Sequence, residues 1–480
     1  MPGFIEAHGH PTAAATTLAE TFVDIRPVII GDASTVLDTI RREVADRGTE
    51  GAYFNGWDPL LQKGLPPIDR RVLDEIAPST PLVIVHNSGH AVYFNSAAAE
   101  AAGVTRETPD PPGASWGHDD DGELSGVGHE TGTLLVILAP VLRTLGPITE
   151  RLRQYCGQLN AAGITTVSDM AFNPQDRDAL NTAQAAGALT TRLRLYEMSS
   201  PALHSDTTLD NGDDMLRQIG IKTWSDGSPW VGNIATSFPY LDTPATQAMG
   251  LPPGHRGTTN YTREQLDEIN EAYFLLGWQL SCHSHGDDAI DMVLGSWEDL
   301  LRHHPRDDHR LRLEHCGAMR PDQFARAAQI GVTCSLFVDH LYYWGDVLVD
   351  DLFGPDHGAR WVAAGSAVRA GVRISMHNDA PVTPDEPLRN ISVGVTRTSR
   401  NGSVLASDER LTVDQALRAE TIDAAYQLFA DDIVGSLTPG KYADIVVLSG
   451  DPTETAPEQI PDLTVLATFL AGEQVHGTEL

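Results

Sequence analysis

A strand-like apolar run followed by an amphipathic segment recurs along this chain, and that recurrence constrains the fold more than any other feature. The strand candidates are FIEAH (4–8), ITTVSDM (164–170), RLRLYEM (192–198), IGIKTW (219–224), WQLSCH (278–283), LRLEHC (311–316), VTCSLFV (332–338) and RISMH (373–377). They are short, rich in β-branched or aromatic residues and not strictly alternating, as strands buried on both faces of a parallel sheet are. Helical segments lie between most of them. ITERLRQYCGQLNAAG (148–163), REQLDEINEAYFLLG (263–277) and PDQFARAAQIG (321–331) each end in a glycine stop and then run into a strand. This alternation predicts an α/β chain folded as a (β/α)8 TIM-type barrel, ahead of a doubly wound sheet.

Two stretches depart from the pattern. About 150 residues, rich in Pro, Gly, Asp and His, separate the first strand from the second. They predict an insertion at about 11–146 with helices and strands of its own, including PLVIVHN (81–87), set over the catalytic face. After residue 410 a helix is expected over 411–429, then strands within 435–451 and 463–477. The domain division is therefore 1–430 for the barrel with its insertion and 431–480 for part of a small β-domain.

Charge narrows the partners. The 480 residues carry 33 Lys+Arg against 66 Asp+Glu, a formal net charge of −33. Such a chain repels phosphate backbones and anionic lipid, so neither nucleic acid nor a membrane is an expected partner. The four cysteines show no CxxC spacing, which argues against a disulfide scaffold and a cysteine zinc site. No run approaches the ~18 apolar residues of a membrane span, and the N-terminus has no secretory pattern, so a cytoplasmic location is expected. A small-molecule substrate is the expected partner, and a homodimer is carried as one expectation for the assembly.

The residues that carry chemistry sit at strand ends. His8 and His10 flank Gly9, and alternate strand residues face one side, so both imidazoles can meet one point. His283 closes WQLSCH, His315 closes LRLEH and Asp379 follows RISMHN. Each stands where a barrel strand meets its loop, the place barrel enzymes put their chemistry. A lone strand-end histidine is more often structural, but this joint set predicts a metal site. Lys222 lies in IGIKTW and is one of three lysines, with Lys63 and Lys441. A buried lysine with a lowered pKa reacts as the neutral amine with CO2, and the resulting carbamate can bridge two cations. The plainer alternative is a surface lysine or a salt bridge from Lys222 to Asp226.

The motifs MPGFIEAHGH, IKTWSDGS, SCHSHGDDAID, LRLEHCGA, HNDAPVTPDEPL and GSLTPGKYADIVVL resemble the amidohydrolase superfamily, in particular its YtcJ-like metal-dependent hydrolases, over essentially the whole chain. The resemblance implies two divalent ions, with zinc the expected metal. His8, His10 and Asp379 would bind one ion, His283 and His315 the other, and carboxylated Lys222 would bridge them. His285 competes with His283 for its place, and the family's His-x-x-Gly-Asp pattern favours His283. Asp379 would also accept a proton from the metal-bound water and pass it to the leaving group. In the insertion, His90 and Asn95 match positions near the family's pocket and are candidate substrate contacts; a helix cap or loop hydrogen bond is the plainer role for either. Trp57, Asp58 and Glu130 are weaker pocket candidates.

The implied activity is hydrolysis of a C–N bond in an amide, N-acyl or N-formyl compound by a metal-bound hydroxide. The same site could serve a cyclic imide, a lactone or a deamination, although the bridging lysine weighs against the last. Family members usually have several dozen residues before the first barrel strand, forming the other half of a small β-sandwich. Here Met1 stands directly before PGFIEAH. Residues 431–480 are thus expected to be the remaining half, by a late start codon or by a true loss, and a non-catalytic truncated homologue is the remaining alternative.

Overall fold

The computed structural model describes residues 1–111, 114–199 and 212–478. Eight parallel strands stand side by side in chain order: β1 (Phe4–Gly9), β2 (Ile164–Phe172), β3 (Arg192–Met198), β4 (Leu216–Trp224), β5 (Gln279–Ser284), β6 (Arg312–His315), β7 (Thr333–Leu336) and β8 (Ile374–Met376). Each expected strand is present, and each pairs in parallel with the next. The sheet curls into a nearly closed TIM barrel. At the seam between β8 and β1, the Asn378 N–H donates to Glu6 Oε2 at 3.1 Å, and the His10 N–H donates to the Ala380 carbonyl at 3.0 Å.

The strands alternate. Leu313, Cys334, Ile374 and Met376 turn outward into the main hydrophobic core, against helices Arg263–Leu275, Asp287–His303 and Pro321–Gln329. Ser281 and Glu314, or Ser335 and Ser375, bond to each other across the interior. Burial on both faces explains why these strands read as apolar runs broken by single polar residues. The helix stops behave as the sequence predicts. Thr262 and Gln265 form a capping box at one end of Arg263–Leu275, and Gly277 follows at φ +98°.

The segment after β1 builds a six-stranded mixed sheet in the order Phe22–Asp24, Ala52–Trp57, Leu82–His86, Ala91–Phe94, Leu124–His129, Ser115–His118. An apolar cluster covers each face, one around Val92, Phe94 and Ile137, the other around Val36, Phe54 and Trp57. At the far end of the chain, Ile445–Leu448, Val465–Leu470 and Glu473–Gly477 form a three-stranded antiparallel sheet, and Pro2 pairs with Ile445. The helix expected over 411–429 is two helices, Val413–Ala419 and Ile422–Gln427. The break falls where the Glu420 carbonyl accepts from Ile5 N–H of β1 at 2.9 Å and so leaves the helical ladder. Among the described residues, no helix is long and apolar enough to cross a membrane.

Candidate metal centre

The C-terminal ends of β1, β4, β5, β6 and β8 bring His8, His10, Lys222, His283, His315 and Asp379 to one mouth of the barrel. Among the described residues, three overlapping groups have ligand-capable atoms within 4.8 Å of one another: His8, His10 and Asp379; His283, His285 and His315; and His8, His315 and His377. His8 Nε2 lies 3.5 Å from Asp379 Oδ1 and 3.4 Å from Lys222 Nζ, and His10 Nε2 lies 3.1 Å from Asp379 Oδ1. The rings of His283 and His315 have centroids 4.5 Å apart.

Strand alternation alone does not produce this convergence. Glu314 points into the barrel, so His315, next along β6, would point out. The left-handed φ of +67° at His315 turns its side chain back to the mouth, and Asp379 does the same beyond β8 at φ +57°. Such conformations cost of order 1–3 kcal/mol for non-glycine residues and persist where the surroundings enforce them.

Neighbouring acceptors set which nitrogen each imidazole turns to the centre. His8 Nδ1 meets Glu314 Oε2 at 2.6 Å. The other Glu314 oxygen accepts from Ser281 Oγ at 2.6 Å and Arg312 Nε at 2.5 Å, which leaves the Nε2 lone pair of His8 facing Lys222 and Asp379. His283 Nε2 donates to the Gly227 carbonyl at 2.8 Å, which frees Nδ1. His315 Nε2 and His285 Nδ1 are buried with no hydrogen-bond partner, and Asp379 Oδ1 has the rings of His10 (3.1 Å) and His8 (3.5 Å) beside it. Buried polar atoms are nearly always paired, so a convergent set of open lone pairs fits a bound cation. The donor set, imidazole and carboxylate, suits zinc and similar divalent metals.

Burial pushes the imidazoles of His8, His283 and His315 well below their ordinary value, so they are neutral, as a metal ligand must be. Burial also lowers Lys222 to about 8, against the pull of Glu314 and Asp379. Burial would raise Asp379, but contact with His10 and the nearby positive groups hold it below the usual carboxylate range. Asp226 does not pair with Lys222. Its carboxylate accepts the backbone N–H groups of His285 (2.9 Å), Gly286 (2.7 Å) and Ala235 (3.2 Å), and so pins the loop that follows His283.

The insertion delivers His90 to the same mouth, with its ring centroid 5.4 Å from that of His283. His90 Nδ1 meets Glu130 Oε2 at 2.7 Å, and Glu130 Oε1 accepts from Asn233 Nδ2 at 2.6 Å. Burial pulls the His90 pKa down, but Glu130 outweighs it and the net shift is upward. Asn95 stands apart and is corrected here as a substrate contact. Its oxygen accepts from Leu82 N–H and Ala98 N–H at 2.9 Å each, and its amide donates to the Ala77 (2.7 Å) and Thr80 (2.8 Å) carbonyls. It caps helix Ser96–Ala102 and has no group left for a ligand. Trp57 packs in the insertion's own core. Asp58 ties the insertion to the barrel by accepting Trp344 Nε1–H at 3.0 Å, and the Trp344 ring stacks on Trp230 at 4.8 Å.

Sequence reasoning passed over Glu314 and Arg312, although LRLEH contains both. The inward parity of Arg312 and Glu314 on β6 was the available signal, because two opposite charges in a doubly buried strand must meet inside the barrel.

The family profile described as Amidohydrolase family matches residues 1–476. The N-substituted formamide deformylase of Arthrobacter pascens is 28% identical over 98% of this chain and 87% of its own length. The putative amidohydrolase YtcJ of Bacillus subtilis is 25% identical over 99% of this chain and 88% of its own. In structure, the chain is similar to an uncharacterized metal-dependent hydrolase of Pyrococcus horikoshii, with TM-score 0.72 and 23% identity, covering 95% of this chain and 87% of that one. The chain therefore belongs to the amidohydrolase family.

Proposed function

We propose that this protein hydrolyses the C–N bond of a small N-acyl or N-formyl amine at a site for two divalent cations, zinc being the expected metal. The observation that carries the reading is the set of buried lone pairs on His8, His283, His315 and Asp379, each oriented by a neighbour or left without one. His8, His10 and Asp379 would hold one ion, and His283 and His315 the other. His283 is preferred to His285 because its outer nitrogen is tied to the Gly227 carbonyl.

Lys222 is the bridging group. Its lowered pKa supports a population of neutral amine near neutral pH; the amine nitrogen attacks CO2 and loses a proton, which gives the carbamate. The bound cations would polarise the substrate carbonyl and lower the pKa of water towards ~7. Asp379 accepts the proton of the attacking water and passes it to the departing nitrogen, a role open to it because its carboxyl is held ionised among the ligands. Glu314, fixed by Arg312, keeps His8 in the tautomer with a bare Nε2.

The deformylase relative supports the choice of an N-formyl or N-acyl substrate. The test offers N-formyl amines, N-acyl amino acids, lactones and cyclic imides to the full chain, before and after chelation. Amide cleavage that disappears with the chelator and returns with zinc is expected. Cleavage of a lactone or imide with no amide turnover would overturn the bond assignment.

A further inference from the structure

Asn87 is 4% exposed, and neither atom of its side-chain amide has a hydrogen-bond partner among the described residues. Asn95, in the same insertion, has its oxygen and its amide nitrogen fully engaged. The contrast does not depend on which way the Asn87 amide is turned, because oxygen and nitrogen are both open. A buried donor and acceptor left without partners cost stability, and such groups are rare enough to need a reason.

The place of Asn87 supplies one. It follows strand Leu82–His86 and stands between two points where the insertion meets the barrel. On one side its N–H donates to the Trp57 carbonyl at 2.9 Å, and the next residue, Asp58, accepts from Trp344. On the other side the chain runs on to His90, whose ring lies beside that of His283. From Trp344 the barrel continues as an aromatic wall towards the metal centre. Trp344 stacks on Trp230, Trp230 meets His340 edge-on at 4.8 Å, and the His340 ring lies 5.3 Å from that of His285. An aromatic wall with a few open polar groups is the usual make-up of a small-molecule site.

The open amide also limits what it can take. A carboxylate would satisfy the N–H side and set oxygen against oxygen. An ammonium would do the reverse, and a hydrocarbon would satisfy neither side. Burial further disfavours a charged guest. A neutral group with an acceptor and a donor on neighbouring atoms, an amide above all, meets both. We propose that Asn87 is a specificity-determining residue that binds a second, uncleaved amide of the substrate, remote from the scissile bond. The inference deepens the proposed amide cleavage and rests on it for the kinetic arm of its test alone.

The experiment uses the full chain with zinc and formamides whose nitrogen carries one to three methylenes and then a carboxamide. Each is paired with the branched alkyl formamide of the same shape. The wild type is expected to favour one carboxamide over its alkyl partner by about 10–100-fold in kcat/KM, and Asn87→Leu to abolish that ratio. A ratio near one in the wild type, as a site holding only water would give, overturns the proposal, and so does a ratio that survives in Asn87→Leu. A structural asparagine would move both members of a pair together and leave their ratio unchanged. Thermal unfolding of the ligand-free protein gives a second readout. Asn87→Leu removes two orphaned polar atoms and should unfold at or above the wild-type temperature; a lower temperature would overturn the proposal by making Asn87 structural. Asn87→Ala serves if leucine does not fit, and failure of both to fold counts against the idea. Calorimetric titration of chelated protein, which turns nothing over, reads recognition by itself. A carboxamide preference there that Asn87→Leu removes supports the proposal even if no formamide is cleaved, and that outcome would sink the bond assignment alone. Equal binding of carboxamide and alkyl partner overturns it.

Discussion

Asn95 in the insertion and His315 at the barrel mouth are both buried, both polar and both predicted from sequence to face a ligand. They differ in how their polar atoms are used. Asn95 has two donors and two acceptors engaged within its own loop and helix, whereas His315 keeps one nitrogen bare and buried. The same contrast separates the regions around them, an insertion whose sheet is sealed by apolar clusters and a barrel whose centre holds a knot of imidazoles and carboxylates. A committed side chain holds up structure, while a buried one with an open lone pair represents a cost of about 1–3 kcal/mol that something else must offset. Residue type does not separate the two roles, but hydrogen-bond accounting does.

Substitutions can sharpen or break this contrast, the largest effect first. Asp379→Asn should lower kcat by about 10²–10⁴-fold while keeping the fold; steady-state kinetics beside circular dichroism would show it, and unchanged kcat would remove Asp379 from the chemistry. Glu314→Gln leaves the buried Arg312 without its charge partner. It should lower stability by about 3–5 kcal/mol, read in urea unfolding, and weaken zinc binding as well. Asn95→Ala should cost about 2–3 kcal/mol of stability, from the lost cap and orphaned backbone groups, yet leave KM and kcat of the folded enzyme as they were. A raised KM would return Asn95 to the pocket.

The smallest step is a slope with pH. Burial lowers His86 and His377 to about 3, from an ordinary value near 6.5. Between those values the unfolded chain binds a proton that the folded protein does not. Metal-free protein should thus have its full stability above pH 6.5 and lose about 1.4 kcal/mol per pH unit for each such imidazole as the pH falls. His86→Gln should flatten that slope by one proton, as followed by thermal unfolding across pH.

Much of this was legible in the amino-acid order. The eight barrel strands could be read because burial on both faces leaves continuous apolar runs, and HGH, the strand-end histidines and HND mark the mouth because polar residues rarely interrupt such strands without a task. The aim of His315 could not be read: parity would send it outward, and only its left-handed backbone brings it in. The break at Glu420 was hidden because its carbonyl is claimed by Ile5, more than four hundred positions earlier. Arg312 and Glu314 were in view as letters, but their link to His8 depends on how the barrel closes.

The join between Asp58 and Trp344 also has a practical use. The indole that receives this link from the insertion lies face to face with Trp230, at 18° between planes, and a stacked indole pair couples its optical transitions. Near-ultraviolet dichroism and tryptophan emission thus report whether the inserted sheet is seated over the mouth, with no dye attached, in the same cuvette where turnover is followed.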